Sequence, residues 1–489
     1  MKRTAQLAQL YLVIVAIAGI IFFVLHLGSQ LAPPRATTPA KVEMASHLAP
    51  AHNSLFKGSV TAVLVENASG ALSRLILQLI VIIVAASVVG SIFTRLKQPA
   101  VVGEMVAGIL LGPSLFGLLA PNAFQFVFAT PTLGALKLFS QIGVCLFLFV
   151  VGMELDVSHL RKKAEAAVVV SHASIVVPYL LGVILAFFVY SQFAQPGISF
   201  MAFALFMGIS TSITAFPVLV RILQDRGIFK TPLGSTAATC AAVDDVTAWS
   251  ILAFVVAIAG ATSTGGAVAS VLLVLAFVAL MLLVIKPSLP RWIGRPALEG
   301  PNPSKMVFAV VITVALISAW ITETIGIHAL FGAFLAGIVI PQVAGFRDKL
   351  VLRVESITAV LLLPLFFAFT GLRTHIGLLN TAQDWLICLV IIGVATAGKL
   401  GGSAVAARLT GMPWRESLQL GALMNTRGLM ELIALNIGYD MGILSQRIFT
   451  MLVIMALVTT IMTGPLLSLL TRKEEVEEPL DPQPILSRT

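Results

Sequence analysis

Charge is scarce in this sequence. Lys, Arg, Asp and Glu make up 11% of its 489 residues, against 58% hydrophobic residues and a mean hydropathy of +1.01. A soluble globular domain carries about 25% charged residues, so a soluble fold is excluded and the chain reads as a polytopic membrane protein. Cysteine is also sparse. Cys145, Cys240 and Cys388 fall in separate apolar runs, which suggests neither a disulfide framework nor a metal cluster. No nucleotide-binding glycine motif and no HExxH zinc motif is present, and no cofactor is implied. The formal charge of +9 comes from Lys and Arg scattered in short gaps between apolar runs. That pattern argues for membrane orientation and against a nucleic-acid partner.

What is abundant is long apolar runs. Lys2 and Arg3 precede one from Tyr11 to Leu27, read as an uncleaved signal-anchor helix (1–28) because it exceeds a usual signal core. Residues 29–71 are more polar, carry Pro33, Pro34, Pro39 and Pro50, and read as an external loop. Thirteen spans follow within 72–470, at 72–93, 99–119, 132–152, 164–191, 199–222, 233–260, 267–286, 304–321, 325–342, 354–373, 384–408, 415–438 and 448–470. Each is near the length that crosses a bilayer. Basic residues cluster in every second gap, for example Arg161/Lys162/Lys163 and Arg347/Lys349/Arg353. Three of the alternate gaps have none, and two have one each, Arg373 and Arg447. The positive-inside rule puts the basic gaps and both termini in the cytoplasm. The short tail, 471–489, is too small for a folded regulatory domain.

The two halves echo each other. Val106-Ala-Gly-Ile-Leu-Leu-Gly-Pro113 recurs as Leu335-Ala-Gly-Ile-Val-Ile-Pro341, and Phe147-Leu-Phe-Val-Val-Gly152 as Phe366-Phe-Ala-Phe-Thr-Gly371. Gly208-Ile-Ser-Thr-Ser212 has a looser echo in Gly421-Ala-Leu-Met-Asn-Thr426. The partners are seven spans apart, so the halves would enter the membrane from opposite sides. Inverted repeats of this kind are typical of secondary transporters.

Asp244 and Asp245 lie near the middle of the 233–260 run. An Asp at a helix centre in the membrane costs about 2.5–3.5 kcal/mol on an insertion scale, so two adjacent ones point to function. Neighbours on a helix point about 100° apart, so one acid can face a partner helix while the other faces a cavity. The alternative is a pair of helix-packing acids. Lys399 is the second deep charge and requires a carboxylate partner. The alternative, snorkelling to the interface, is awkward at that depth. Pro217 interrupts the 199–222 span beside Ser210, Thr211, Ser212 and Thr214. A break there would offer oxygens to a bare cation, although the hydroxyls can equally bond back to their own helix. Met424-Asn-Thr-Arg-Gly428 occupies the matching place in the 415–438 span, with Asn425 and Thr426 as neutral donors. Arg427 and Glu431 have the spacing of an intrahelical ion pair, with charge compensation at the break as the other reading. Glu154 and Asp156 read as interfacial, as do His328 and His375, for which pH sensing near the external side is the alternative.

Four stretches carry a family resemblance: Thr211-Ser-Ile-Thr-Ala-Phe-Pro-Val-Leu-Val-Arg-Ile-Leu223, Ala241-Ala-Val-Asp-Asp-Val-Thr-Ala-Trp249, His328-Ala-Leu-Phe-Gly-Ala-Phe334 and Asn425-Thr-Arg-Gly-Leu-Met-Glu-Leu-Ile433. Over about 98–465 the chain resembles the monovalent cation:proton antiporter-2 family, and within it the plant-type cation/proton exchangers and their bacterial relatives. The resemblance implies thirteen core helices in two inverted repeats, two crossed broken helices at 199–222 and 415–438, and a homodimer. It implies that Asp245 is the ion-carrying acid and that Lys399 pairs with Asp244, a position that is Asn in many plant-type relatives and Asp in electrogenic bacterial ones. The expected function is therefore electrogenic exchange of Na+ or K+ for protons by alternating access in a bacterial inner membrane. Thr211, Ser212 and Asn425 would complete the cation shell at Asp245. A cation channel is the alternative. An intramembrane aspartyl protease lacks a second deep Asp on a facing helix.

Overall fold

The computed structural model describes residues 2–31, 33–34, 67–154, 164–260, 264–294, 298, 303–343 and 345–471. Most of the expected 29–71 loop, the tail beyond 471, and Asp156 and Arg161–Lys163 lie outside the described residues. The described residues form helices and their connections, with one isolated antiparallel bridge between Ala194 and Leu444. In order, the elements used below are α1 (Lys2–Gly28), α2 (Ala71–Arg95), α3 (Ala100–Leu111), α4 (Thr130–Glu154), α5 (Ala164–Phe193), α6 (Phe200–Ser212), α7 (Phe216–Asp225), α8 (Pro232–Ala259), α9 (Thr264–Ala279), α10 (Lys305–Ile325), α11 (Ala329–Val339), α12 (Phe346–Ile357), α13 (Leu363–Arg373), α14 (Ala382–Thr396), α15 (Gly402–Leu409), α16 (Trp414–Met424), α17 (Leu429–Asp440) and α18 (Gln446–Leu470).

Eleven helices among the described residues are long and apolar enough to cross a membrane, several of them continuous pairs of these elements. Two expected spans are built differently. The 325–342 run forms the shorter helix α11, and the 415–438 run divides into α16 and α17. The outer surfaces fit a lipid environment. Along α2, Leu72, Ile76, Ile80, Val84, Val88 and Ile92 recur every fourth residue and are all exposed, a stripe that would be a liability in water.

Helix starts follow local chemistry. Ser199, Thr231 and Ser304 each accept a backbone N–H from the first turn of α6, α8 and α10, and Pro232 occupies the first position of α8, where no donor is lost. Thr381 and Asp384 form a reciprocal capping box on α14.

The helices fall into two packed groups. α2, α3, α4, α10, α11, α12 and α13 pack together, and α5–α8 pack with α14–α18, while α9 connects them. α1 rests on α5 and α6 of the second group. In the first group the closest approaches use glycine. A Cβ on Gly371 of α13 would come within 2.0 Å of the Gly108 carbonyl carbon of α3, and a Cβ on Gly152 of α4 within 2.2 Å of the Phe334 oxygen of α11. Gly337 Cα also lies against Gly152.

Candidate functional site

Two helices break at the centre of the second group. α6 ends at Ser212, residues 213–215 are extended, and α7 starts at Phe216 with Pro217 in its first turn. Pro217 cannot donate, so the break falls where the helix would have needed its N–H. α16 ends at Met424 and α17 starts at Leu429. Gly428 has φ +154 there, and a Cβ would sit 3.0 Å from Val218 of α7, so both backbone conformation and contact favour glycine. The two unwound segments are joined. Ala215 N–H donates to the Thr426 carbonyl at 3.0 Å, and Thr214 Oγ1 lies 3.2 Å from the Met424 carbonyl.

α8 passes beside this crossing and presents its two acids differently. Asp244 is fully buried and fully occupied. Ser171 and Ser174 of α5 donate to it at 2.6 and 2.7 Å, Thr214 donates at 2.6 Å, and Lys399 Nζ lies 2.8 Å from Oδ2. Lys399 sits in a π-helical turn, Ala397–Gly401, between α14 and α15. Its ammonium also donates to the Ser174 carbonyl at 2.9 Å and the Ser212 carbonyl at 2.6 Å. All its donors are thereby used, and one end of a broken helix is tied to the pair.

Asp245 is equally buried, yet neither carboxyl oxygen accepts a hydrogen bond. The Phe216 amide is directed at it from the start of α7, outside hydrogen-bonding geometry. Asn425, in the second break, is likewise buried with both amide atoms unpartnered. An unpartnered ionised carboxylate in an interior is very costly, so Asp245 has to be neutralised by something that binds it.

The remaining expected ligands are engaged otherwise. Thr211 Oγ1 lies within hydrogen-bonding distance of the Pro178, Met207 and Gly208 carbonyls, and Ser212 Oγ donates to the Ile209 carbonyl at 3.0 Å. Both hydroxyls thus bond into the protein backbone, and these residues meet charge through their carbonyls. Arg427 donates to the Ser210 and Thr211 carbonyls and lies 3.3 Å from Glu431 Oε2. The pair is not intrahelical as its spacing suggests, because Arg427 lies in the unwound segment and Glu431 in the first turn of α17. Arg427 places a positive charge at the carbonyl end of α6, where the helix dipole is negative. Thr460 of α18 braces the turn, accepting from Arg427 N–H at 3.0 Å and donating to its carbonyl at 2.9 Å.

Ser171, Ser174 and Thr460 were not singled out by sequence reasoning. The signal available for the serines was two hydroxyls three residues apart, on one face of an apolar helix. His328 lies beside a small cavity that Arg373 and Asp440 also line, and His375 donates its backbone N–H to Thr450.

A cavity of about 680 Å³ opens between the helix groups, bounded among others by Glu154, Phe216, Ala238 and Arg347. Phe216, the residue whose amide is directed at Asp245, is part of its lining.

With this geometry in place, the comparisons with known proteins are specific. Residues 79–473 match the model of the family described as sodium/hydrogen exchanger, transmembrane. The chain is 42% identical over 389 residues to the Na+/H+ antiporter NhaS4 of Synechocystis, covering 79% of this chain and 95% of that protein. It is 39% identical over 401 residues to cation/H+ antiporter 19 of Arabidopsis thaliana, covering 82% of this chain and 50% of that protein. The chain therefore spans about half the length of this plant relative. Among solved structures, the sodium proton antiporter MjNhaP1 of Methanocaldococcus jannaschii superposes with a TM-score of 0.60, covering 80% of this chain and 98% of the other, at 14% identity. That likeness concerns the fold.

Proposed function

The chain belongs to the sodium/hydrogen exchanger family, within its monovalent cation:proton antiporter-2 branch, and from that premise we propose that Asp245 is the group that carries cation and proton in turn. The protein is an integral multi-pass membrane antiporter, not an enzyme, and exchanges Na+ or K+ for protons. The observation that carries the site assignment is the contrast between the acids. Asp244 has four side-chain partners, whereas Asp245 has none. A carboxylate left alone in the interior must hold a proton or a cation. The two cannot occupy it together, and that exclusion is the chemical basis of exchange.

Asn425 and the carbonyls of the breaks supply neutral oxygens for a cation stripped of water, with Thr211 and Ser212 contributing through their backbone. Arg427, held to Glu431, offsets the negative carbonyl end of α6, so the cation is attracted by Asp245 rather than by the helix end. The Asp244–Lys399 pair is the second charge element. When a cation draws on both acids, Lys399 loses its partner and with it a reason to stay protonated. Two protons then move against one cation, and exchange is electrogenic. The membrane potential contributes about 2.3 kcal/mol per net charge per 100 mV.

The movement proposed is alternating access, in which the group holding the broken helices travels against the other group. We propose thirteen core spans in two inverted repeats as its frame. The repeat pairs Gly108 with Gly337 and Gly152 with Gly371 in sequence. Exchanging the halves turns the Gly108–Gly371 approach into the Gly337–Gly152 approach, and both close contacts occur. We place the protein in a bacterial inner membrane as a homodimer, with the basic gaps and the C-terminus cytoplasmic. A cation channel fits less well, because the Lys399 ammonium sits at the acids, 2.8 Å from Asp244.

The test is exchange by purified protein in proteoliposomes holding a pH-sensitive dye. Addition of Na+ or K+ should collapse an imposed proton gradient, faster when a clamped potential favours the net charge movement. A response unaffected by the clamp would remove the two-proton scheme.

A further inference from the structure

The two ends of the interface between the helix groups differ. The cavity bounded by Glu154, Phe216 and Arg347 opens one end. A charged cluster crosses the other. Arg373, the last residue of α13, donates from Nη1 to Asn436 Oδ1 at 2.8 Å and from Nη2 to Asp440 Oδ1 at 2.6 Å. Lys137 of α4 lies 3.1 Å from the same Asp440 oxygen. Asn436 passes the connection on, donating from Nδ2 to Thr370 Oγ1 at 2.8 Å. The Arg373 guanidinium also lies 4.2 Å from the Phe369 ring and 5.1 Å from the Tyr439 ring.

These contacts join the groups. Lys137, Phe369, Thr370 and Arg373 belong to α4 and α13 of one, and Asn436, Tyr439 and Asp440 to α17 of the other. The space they enclose, beside Ile433 and His328, is about 30 Å³, little more than a water site. Lys137 and Glu154 are seventeen residues apart on α4, or about 25 Å at helical rise. One helix is therefore tied at one end and lines an open cavity at the other.

α17 runs directly from the break that carries Asn425 and Arg427 to Asp440. Movement of the crossing against α4 and α13 must carry Asp440 away from Arg373. The cluster is suited to repeated opening. The Arg373 and Asp440 side chains are 14% and 28% exposed, whereas Lys399 and Asp244 are both at 0%. Partly solvated ions recover water contacts when they separate, but a buried pair that separates leaves bare charges.

We propose that Arg373, Asn436 and Asp440 form a latch that closes the site on the side remote from the cavity, with Lys137 as its second cation, and that opening it is a step of the exchange cycle. The inference rests on the alternating-access reading above. It assigns Arg373 and Asp440 as positioning residues for the moving group, not as cation ligands.

The test reads opening without transport. Cys145, Cys240 and Cys388 are replaced, and Ile433→Cys puts a thiol beside the enclosed space, where Ile433 is 1% exposed. A membrane-impermeant maleimide is applied from the side bearing Asp440. Labelling is expected to be slow in this background and several-fold faster with Arg373→Gln or Asp440→Asn, while Asp440→Glu, which keeps the charge, stays slow. Equal labelling in all four backgrounds overturns the latch. Labelling needs no cation, so the result stands even where Asp245→Asn retains exchange and the site assignment fails. Should the single variants not assemble, Arg373→Cys/Asp440→Cys joined by a cleavable thiol cross-linker is the second measure. The cross-link should arrest exchange until it is cleaved, and exchange that continues through it also overturns the latch.

Discussion

The Lys399 ammonium lies 2.8 Å from Asp244 Oδ2 and reaches the Ser212 carbonyl at 2.6 Å. One cation thus holds both an acid on α8 and the open end of α6. Removing one partner of a buried pair leaves the other charge uncompensated, which typically costs 3–5 kcal/mol. Lys399→Ala is expected to lose stability on about this scale. Lys399→Ala/Asp244→Asn should recover much of it, because both charges are gone. Thermal unfolding of the three proteins in one detergent checks this. A double variant no more stable than the single one would mean that Lys399 acts mainly through the Ser212 and Ser174 carbonyls.

Asp245 predicts the opposite balance of stability and function. No hydrogen bond is lost in Asp245→Asn, because neither oxygen accepts one. The variant should keep a parental unfolding midpoint, or exceed it, while exchange falls to the rate of empty liposomes. Normal exchange in Asp245→Asn would refute the assignment of the carried ion to this acid.

Asn425 tests the cation shell separately from the acid. Its amide has no partner in the structure, so Asn425→Ala breaks no hydrogen bond within the protein. The expected result is a KM for the cation raised several-fold, with the unfolding midpoint nearly unchanged. Comparing Na+ with K+ in the same assay shows whether this position weighs on selectivity. An unaltered KM for both would take Asn425 out of the shell.

Much of this arrangement is visible in the sequence, because charge stands out against hydrocarbon. Asp244, Asp245 and Lys399 are conspicuous in apolar runs, and Pro217 and Gly428 mark both breaks by what their backbones can or cannot do. What the sequence hides is direction. Thr211 and Ser212 offer a hydroxyl and a carbonyl each, and only the folded chain shows the hydroxyls bonded to the backbone while the carbonyls meet Arg427 and Lys399. The Arg427–Glu431 pair has helical spacing, but the helix starts after Arg427. Ser171 and Ser174 look like ordinary helix serines until α5 is placed against α8. The Arg373–Asp440 contact joins residues 67 apart at the ends of separate helices, which no local pattern links.

The paired glycine contacts give the last prediction. A Cβ on Gly371 would fall 2.0 Å from Gly108 backbone atoms, and one on Gly152 would fall 2.2 Å from the Phe334 oxygen. Backbone cannot move aside as a flexible side chain can, so overpacking here should cost at least the usual 1–3 kcal/mol. Gly134, in the same helix as Gly152, has open space around it, and Gly→Ala in a helix interior gains about 1 kcal/mol in propensity. Gly371→Ala and Gly152→Ala are therefore expected to lower the unfolding midpoint by similar amounts, and Gly134→Ala to leave it unchanged or raise it. Similar losses at the two contact positions are what a repeat-related pair requires, since exchanging the halves turns one contact into the other. If Gly152→Ala were tolerated and Gly371→Ala were not, the two contacts would not be structural equivalents, and the inverted-repeat reading would lose the support drawn from them.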